Sequence, residues 1–374
     1  MTTSAIQLGV PFVDLKLQYS SIREQILDAV SRVLDSGHFI GGEYVERFEE
    51  QFARFTSARH AIGVSSGTAA LELALKAFVI GPGDEVIVPA NSFFATAEAV
   101  SNVGAAPVFA DVDAATFHLD IADVERRIST KTRAVIPVHL YGRAMDLTRL
   151  EDLCSHHNLK IIEDAAQAHG TAINGAKVGS SGRLTCFSFY PGKNLGAYGD
   201  AGAVTCNDLQ LANFIRLLRD HGSPSKYQHS AIGINGRLDA IQAAILSIKL
   251  PRLAAWNSSR VAHANLYAQL MAGSKTRTPE IPACGEHNFH LFVVRVEDRD
   301  RVKTELSRSG IQTGIHYPVP LHLTPAYQKL RYSGSGSMPV SEQIATEILS
   351  LPMFPELTSE QIEHVTDTLR EITN

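Results

Sequence analysis

Three short stretches hold residue types able to do chemistry together. In FSFYPGKNLGAYGDAG, Phe187–Gly202, a lysine, Lys193, stands among glycines and aromatics directly after an apolar run. A lysine whose pKa is lowered by a pocket can form a Schiff base, whereas an ordinary surface lysine is simply a solvated ammonium. The small residues around Lys193 imply that something bulky must come close to it. In LKIIEDAAQAHG, Asp164 closes an apolar, strand-like run. A carboxylate there needs a cation or several donors, and a protonated heterocyclic nitrogen would serve; capping a following helix is the plainer alternative. In SSGTAAL, Gly67 and Thr68 sit where a strand turns into a helix. Free N–H groups and the helix dipole make such a start a phosphate site, although a plain capped helix has the same pattern. Each stretch alone is ambiguous. Together they supply what pyridoxal phosphate needs: a phosphate cradle, a carboxylate to keep its ring nitrogen protonated, and a lysine to form the imine.

The elements that must position these residues are legible from His60 to about Asp220. Apolar strand-like runs (HAIGVSS, DEVIVPA, APVFADVD, TRAVIPVHLYG, LKIIEDAA, RLTCFSFYP, GAVTCN) alternate with helical patterns such as GTAALELALKAF. This alternation predicts an α/β fold, a mostly parallel sheet with helices on both faces and ligands beyond the carboxyl ends of its strands. After GINGRLDAIQAAIL a helix is expected from Leu238 to about Ser258, adjusted at Pro251. Beyond it FHLFVVRV reads as a strand, DRVKTELSRSG as a helix, IQTGIHYP as a strand and YSGSGSMP as a surface loop. TSEQIEHVTDTLREI reads as a closing helix with a Thr358/Gln361 capping box. The division expected is a large domain over 1–250, including the N-terminal segment, and a small α+β domain over 251–374.

Composition narrows the function. With 374 residues, 44% hydrophobic and 20% charged, the chain is long enough for a sizeable core. A net charge of −5 argues against a nucleic-acid binder. Cys154, Cys186, Cys206 and Cys284 lack C-x-x-C spacing, and neither a signal-peptide pattern nor a membrane-length apolar run is evident, so a cytoplasmic protein is expected. No metal site is expected: the CSHH of Cys154–His157 reads as helix surface, and His316 and His322 lack acidic or cysteine companions.

GVSSGTAALELAL, DEVIVPANSFFATAEAV, GAAPVFADVD, IIEDAAQAHG, FSFYPGKNLGAYGDAGAV and GINGRLDAIQAAIL together resemble the DegT/StrS-type family of nucleotide-sugar aminotransferases, almost from end to end. The resemblance implies an aspartate-aminotransferase-like (type I) fold, pyridoxal 5'-phosphate as cofactor, and a homodimer with sites at the interface. It makes Lys193 the cofactor-bearing catalytic lysine and Asp164 the partner of the ring nitrogen. Gln167 is placed near the ring hydroxyl and Phe93 on the ring face, while Gly67, Thr68 and Ser188 are placed on the phosphate. Asn235 is expected to reach that phosphate from the partner subunit. Some members carry histidine in place of the lysine and are dehydratases; lysine here favours transamination, with glutamate the usual donor. Tyr190, Lys226, His316, Tyr317 and His322, with His169 in EDAAQAHG, resemble the branch acting on dTDP-linked 3-keto-6-deoxyhexoses, giving a 3-amino sugar. A 4-keto-sugar aminotransferase and a non-catalytic regulatory protein that binds pyridoxal phosphate stay open as alternatives.

Overall fold

The computed structural model describes residues 9–282, 285–330 and 334–373, so Cys284 and part of the YSGSGSMP segment lie outside the described residues. Seven strands form the main sheet: β1 His60–Val64, β2 Glu85–Pro89, β3 Ala106–Ala110, β4 Thr132–Val135, β5 Lys160–Asp164, β8 Leu184–Ser188 and β9 Gly202–Cys206. The pairs β6 Ala172–Ile173 with β7 Ala176–Lys177, and β10 Phe292–Arg295 with β11 Ile348–Leu351, are separate two-stranded ribbons. The main sheet runs β1-β9-β8-β5-β4-β2-β3. Only β9 runs against its neighbours, so six strands point one way.

The strands are short β-branched runs such as EVIVP and HAIGV, buried on both faces as a covered parallel sheet requires. The helices Gly67–Ala77 and Phe94–Asn102, rich in alanine, pack closely on the sheet and on one another. At the end of β5 the two-residue period sends adjacent carboxylates to opposite faces. Glu163 takes hydrogen bonds from Arg183 Nε (2.8 Å) and Ser181 Oγ (2.9 Å). His139 Nδ1 accepts from Met145 N, so its Nε2 carries the hydrogen and donates to Glu163 at 3.0 Å. Asp164 is left for the other face.

A second core gathers around Tyr267, Phe289, Phe292, Leu306 and Leu369, and Val10 from the N-terminal segment belongs to it. Leu321, Tyr327 and Met338 instead pack into the core beneath β2 and β3.

Two local expectations need correction. The adjustment expected at Pro251 is a 3-10 turn, Leu250–Arg252, between the helices Ala240–Lys249 and Leu253–Leu270, since Pro251 has no backbone hydrogen to donate; the helical stretch runs on past Ser258 to Leu270. IQTGIHYP is not a strand; its backbone pairs with its neighbours only through single bridges, Ile311 to Val10 and Gly314 to Ser350. The described part of YSGSGSMP is the surface loop expected, exposed at Gly334, Ser335 and Gly336, and it is anchored by Glu342, which accepts from the N–H groups of Gly336 and Met338. The capping box is present, with Thr358 N donating to Gln361 Oε1 (3.1 Å) and Gln361 N donating to Thr358 Oγ1 (3.3 Å).

Candidate active site

A cleft of about 630 Å³ opens beyond the carboxyl ends of β2, β4, β5 and β8. It brings together ten of the residues singled out from sequence: Gly67, Thr68, Phe93, Asp164, Gln167, Ser188, Tyr190, Lys193, His316 and Tyr317. Among the described residues no group of three or more His, Cys, Asp or Glu could hold a metal ion, and no helix is long and apolar enough to cross a membrane.

The cradle forms where β8 presses on a helix start. Ser66 caps the helix Gly67–Ala77 by accepting from Ala69 N at 3.0 Å, which leaves the N–H groups of Gly67 and Thr68 ahead of the cap at the positive end of the dipole. A Cβ on Gly67 would sit 2.6 Å from Ser188 Cβ, so only glycine lets the two segments meet. Past Ser188 the chain turns, and Lys193 N donates to Tyr190 O at 2.8 Å.

Asp164 is buried, and burial raises its pKa; Ala166 N, Thr96 Oγ1 and the charge of Lys193 oppose that shift. Ala166 N donates to Oδ1 at 3.1 Å and Thr96 Oγ1 donates to Oδ2 at 2.8 Å. Since the Thr96 proton is committed to the carboxylate, the 2.8 Å contact between Thr96 Oγ1 and Ser92 Oγ has Ser92 as donor. Burial lowers the Lys193 amine to about 8, with Asp164 pulling the other way. That leaves far more of the amine neutral near neutrality than in a free lysine, as a nucleophilic lysine requires. Burial, then the charge of Lys193, lowers His316 to about 4 and His169 to about 3, and holds His290 well below its ordinary range. The imidazoles around the lysine are therefore neutral.

The opposite wall is built from distant parts of the chain. Gln167 Oε1 accepts from Tyr141 N (2.5 Å), and its Nε2 donates to Tyr317 OH (3.2 Å). Tyr317 lies 5.7 Å from Phe93, ring centre to ring centre. His316 bonds Ser350 Oγ through Nδ1 (2.8 Å) and stacks on Phe12, and the Tyr141 hydroxyl donates to its carbonyl.

Four sequence candidates do not line this cleft. Asn235 and Lys226 are exposed, Asn235 bridged to Asp220 and Lys226 lying over the Tyr227 ring at 5.1 Å. His322 is fully buried: Nε2 contacts Glu342 Oε1 at 3.1 Å and the ring faces Phe109, which is ordinary core packing. His169 is buried against Phe187 and Phe189. The sequence reading missed Thr96, Ser92, Phe12 and His290. Ser92 and Thr96, four residues apart at the start of an alanine-rich helix, did offer a signal; Phe12 offered none.

Residues 20–370 match the DegT/DnrJ/EryC1/StrS aminotransferase family. A protein of Acidithiobacillus ferrooxidans named UDP-N-acetyl-3-dehydro-alpha-D-glucosamine 3-aminotransferase is 45% identical, across 97% of this chain and 97% of its own. The dTDP-3-amino-3,4,6-trideoxy-alpha-D-glucose transaminase of Streptomyces venezuelae is also 45% identical, across 99% and 98%. The crystal structure of S. venezuelae DesV in complex with a ketimine intermediate superposes with a TM-score of 0.94 at 45% identity, covering 97% of this chain and 98% of that one.

Proposed function

The chain belongs to the DegT/DnrJ/EryC1/StrS aminotransferase family, and within it we propose a 3-aminotransferase of dTDP-linked 3-keto-6-deoxyhexoses that takes its amino group from glutamate. The fold is that of the type I pyridoxal-phosphate aminotransferases, and the chain is a pyridoxal-phosphate-dependent aminotransferase of sugar nucleotides. The cleft fits that cofactor chemically: a donor cradle too tight for any Cβ at Gly67, a buried carboxylate with a partly neutral lysine in the same cleft, and an aromatic flank at Phe93.

Bound there, the cofactor supplies an electron sink at the carbon that gains or loses the amino group. In this reading Gly67, Thr68 and Ser188 hold its phosphate through backbone and hydroxyl donors. Asp164, charged, holds the ring nitrogen protonated, and Thr96 and Ala166 orient that carboxylate. Phe93 covers the ring face and Gln167 lies toward the ring hydroxyl. Lys193 carries the cofactor and moves protons as its amine alternates between charged and neutral. Asn235, exposed and outside its own cleft, is suited to reach the phosphate of a second subunit in a homodimer, and the exposed Lys226 is suited to reach a sugar diphosphate.

The observation that carries the choice of acceptor is the presence of Tyr190, His316 and Tyr317 in the same cleft as Lys193. It is supported by two relatives whose names place the amino group at carbon 3. Those relatives differ in nucleotide, so the test must vary it. Purified protein with glutamate should be offered 3-keto and 4-keto sugars linked to dTDP and UDP, with products identified by NMR. The expected product is the 3-amino-6-deoxyhexose on dTDP. Turnover of 4-keto sugars alone, or no 2-oxoglutarate with any acceptor, would sink the proposal.

A further inference from the structure

Behind Lys193 lies a buried amide network whose donors and acceptors can be assigned from its backbone contacts. Asn194 reaches the carbonyl of Asn288 at 3.3 Å and Oδ1 of Asn257 at 2.9 Å through one end of its amide. A carbonyl only accepts, so that end is Nδ2, and the other end, facing His290 Nδ1 at 3.1 Å, is the oxygen. The neighbours are fixed by the same logic. Asn257 Nδ2 donates to the carbonyl of His169 (2.8 Å), and Asn288 Nδ2 donates to the carbonyls of Gln167 (3.0 Å) and His169 (3.1 Å). Asn288 Oδ1 accepts from His290 N at 2.9 Å.

An amide oxygen cannot donate, so the hydrogen between His290 and Asn194 belongs to His290 Nδ1. The charged groups facing His290 are Lys193 and Arg260, and the other titratable ones are His316 and His169. With burial they keep its imidazole neutral, with a single N–H. That N–H is spent on Asn194, which leaves Nε2 bare. The ring lines the cleft together with Lys193, whose chain neighbour is Asn194.

We propose that His290 is a positioning residue for Lys193: Asn194 locks its ring with Nδ1 protonated, and the bare Nε2 lone pair is a fixed acceptor for the ammonium form of the lysine. The proposal rests on Lys193 being the cofactor-bearing lysine, and not on the identity of the sugar. Burial works against a charged amine here, and a neutral acceptor that cannot donate back stabilises the ammonium without adding charge. His316 has no such lock: its Nδ1 meets the Ser350 hydroxyl, which can donate or accept, so its tautomer is not fixed.

The test uses enzyme loaded with pyridoxamine phosphate, in which Lys193 is free. Nitrogen-15 NMR of labelled histidine should show His290 neutral with its hydrogen on Nδ1; an Nε2–H tautomer or an imidazolium overturns the proposal without any variant. Carbon-13 NMR at the lysine ε-carbon then follows the Lys193 pKa. His290→Asn keeps a donor for Asn194 and, being one bond shorter, removes the acceptor from the Nε2 position. Losing an acceptor penalises the charged amine, so Lys193 should titrate lower by about one unit or more. His290→Gln, whose Oε1 can take the place of Nε2, should restore most of that shift. The glutamate half-reaction, run without sugar, should have its pH profile displaced in the same direction. If His290→Asn leaves the Lys193 pKa unmoved, the role is structural and the proposal fails, whatever happens to turnover.

Discussion

Thr96→Val isolates the contact that makes Asp164 usable. The substitution removes one hydroxyl and keeps the branched shape, at a position that is fully buried. Asp164 would lose the 2.8 Å hydrogen bond to Oδ2 and keep the one from Ala166 N. A hydrogen bond to a charged group contributes about 1.5–3 kcal/mol, and about 1.4 kcal/mol corresponds to one pKa unit. The Asp164 pKa, already raised by burial, should therefore rise by about one to two further units. The sign follows from which form is needed. Only the carboxylate favours a protonated ring nitrogen, so cofactor affinity is present above the Asp164 pKa and is lost as pH falls through it. In the variant that loss should come at a pH about one to two units higher, with affinity about ten- to a hundredfold weaker where wild-type Asp164 is still charged. The assay is fluorescence titration of apoprotein with pyridoxal phosphate across a pH series, with Thr96→Ser as the hydroxyl-retaining control. A Thr96→Val protein that folds and binds with wild-type affinity and an unshifted pH profile would refute the reasoning.

Three further outcomes are expected. Borohydride should fix pyridoxal phosphate covalently to Lys193, and peptide mapping that finds the adduct on another lysine would overturn the assignment. Gly196→Ala should destabilise the Lys193 loop by about 1–3 kcal/mol, because its Cβ would meet Pro191 O at 2.3 Å, whereas the Cβ of Gly192→Ala meets nothing closer than 3.7 Å and should leave the melting temperature unchanged. Mixing Lys193→Ala with Asn235→Ala subunits should recover activity at one site per dimer if Asn235 serves its neighbour's phosphate; no recovery from two stably assembled variants would count against that arrangement.

What the sequence disclosed was the chemistry that lies along one segment at a time. Asp164 ends one strand and Lys193 lies in the turn just past the end of the adjacent one, so strand patterning plus residue type was enough to place both at one edge of the sheet. Residues acting through partners far along the chain were not legible. The Thr96 hydroxyl matters because of a carboxylate on another strand, and the His290 tautomer is set by an amide far upstream. Phe12 reaches the cleft only because the N-terminal segment packs with the second core. His322 shows the converse error: its turn resembled a substrate loop, but its side chain points into the core to meet Glu342. The glycines around Lys193 were read as room for a ligand. At Gly196 the reason is instead the loop's own backbone, which passes too close for any side chain.

The one reversed strand bears on how Lys193 can move. Five of the six parallel strands hand the chain on to crossovers, but β8 is followed by its neighbour in the sheet, so the segment carrying Lys193 is a hairpin. Ser188 pairs with Gly202, Phe189 N bonds Ala201 O at 2.7 Å, and Ala197 N bonds Phe189 O at 2.8 Å. Both ends of that segment are fastened to the same rigid plane. Asn194, next to the lysine, is tied by its side chain to Asn257, Asn288 and His290, so the position of the amine answers to the sheet and to that network together. Loosening either hold should displace the amine, and a changed absorption spectrum of the bound cofactor would report it.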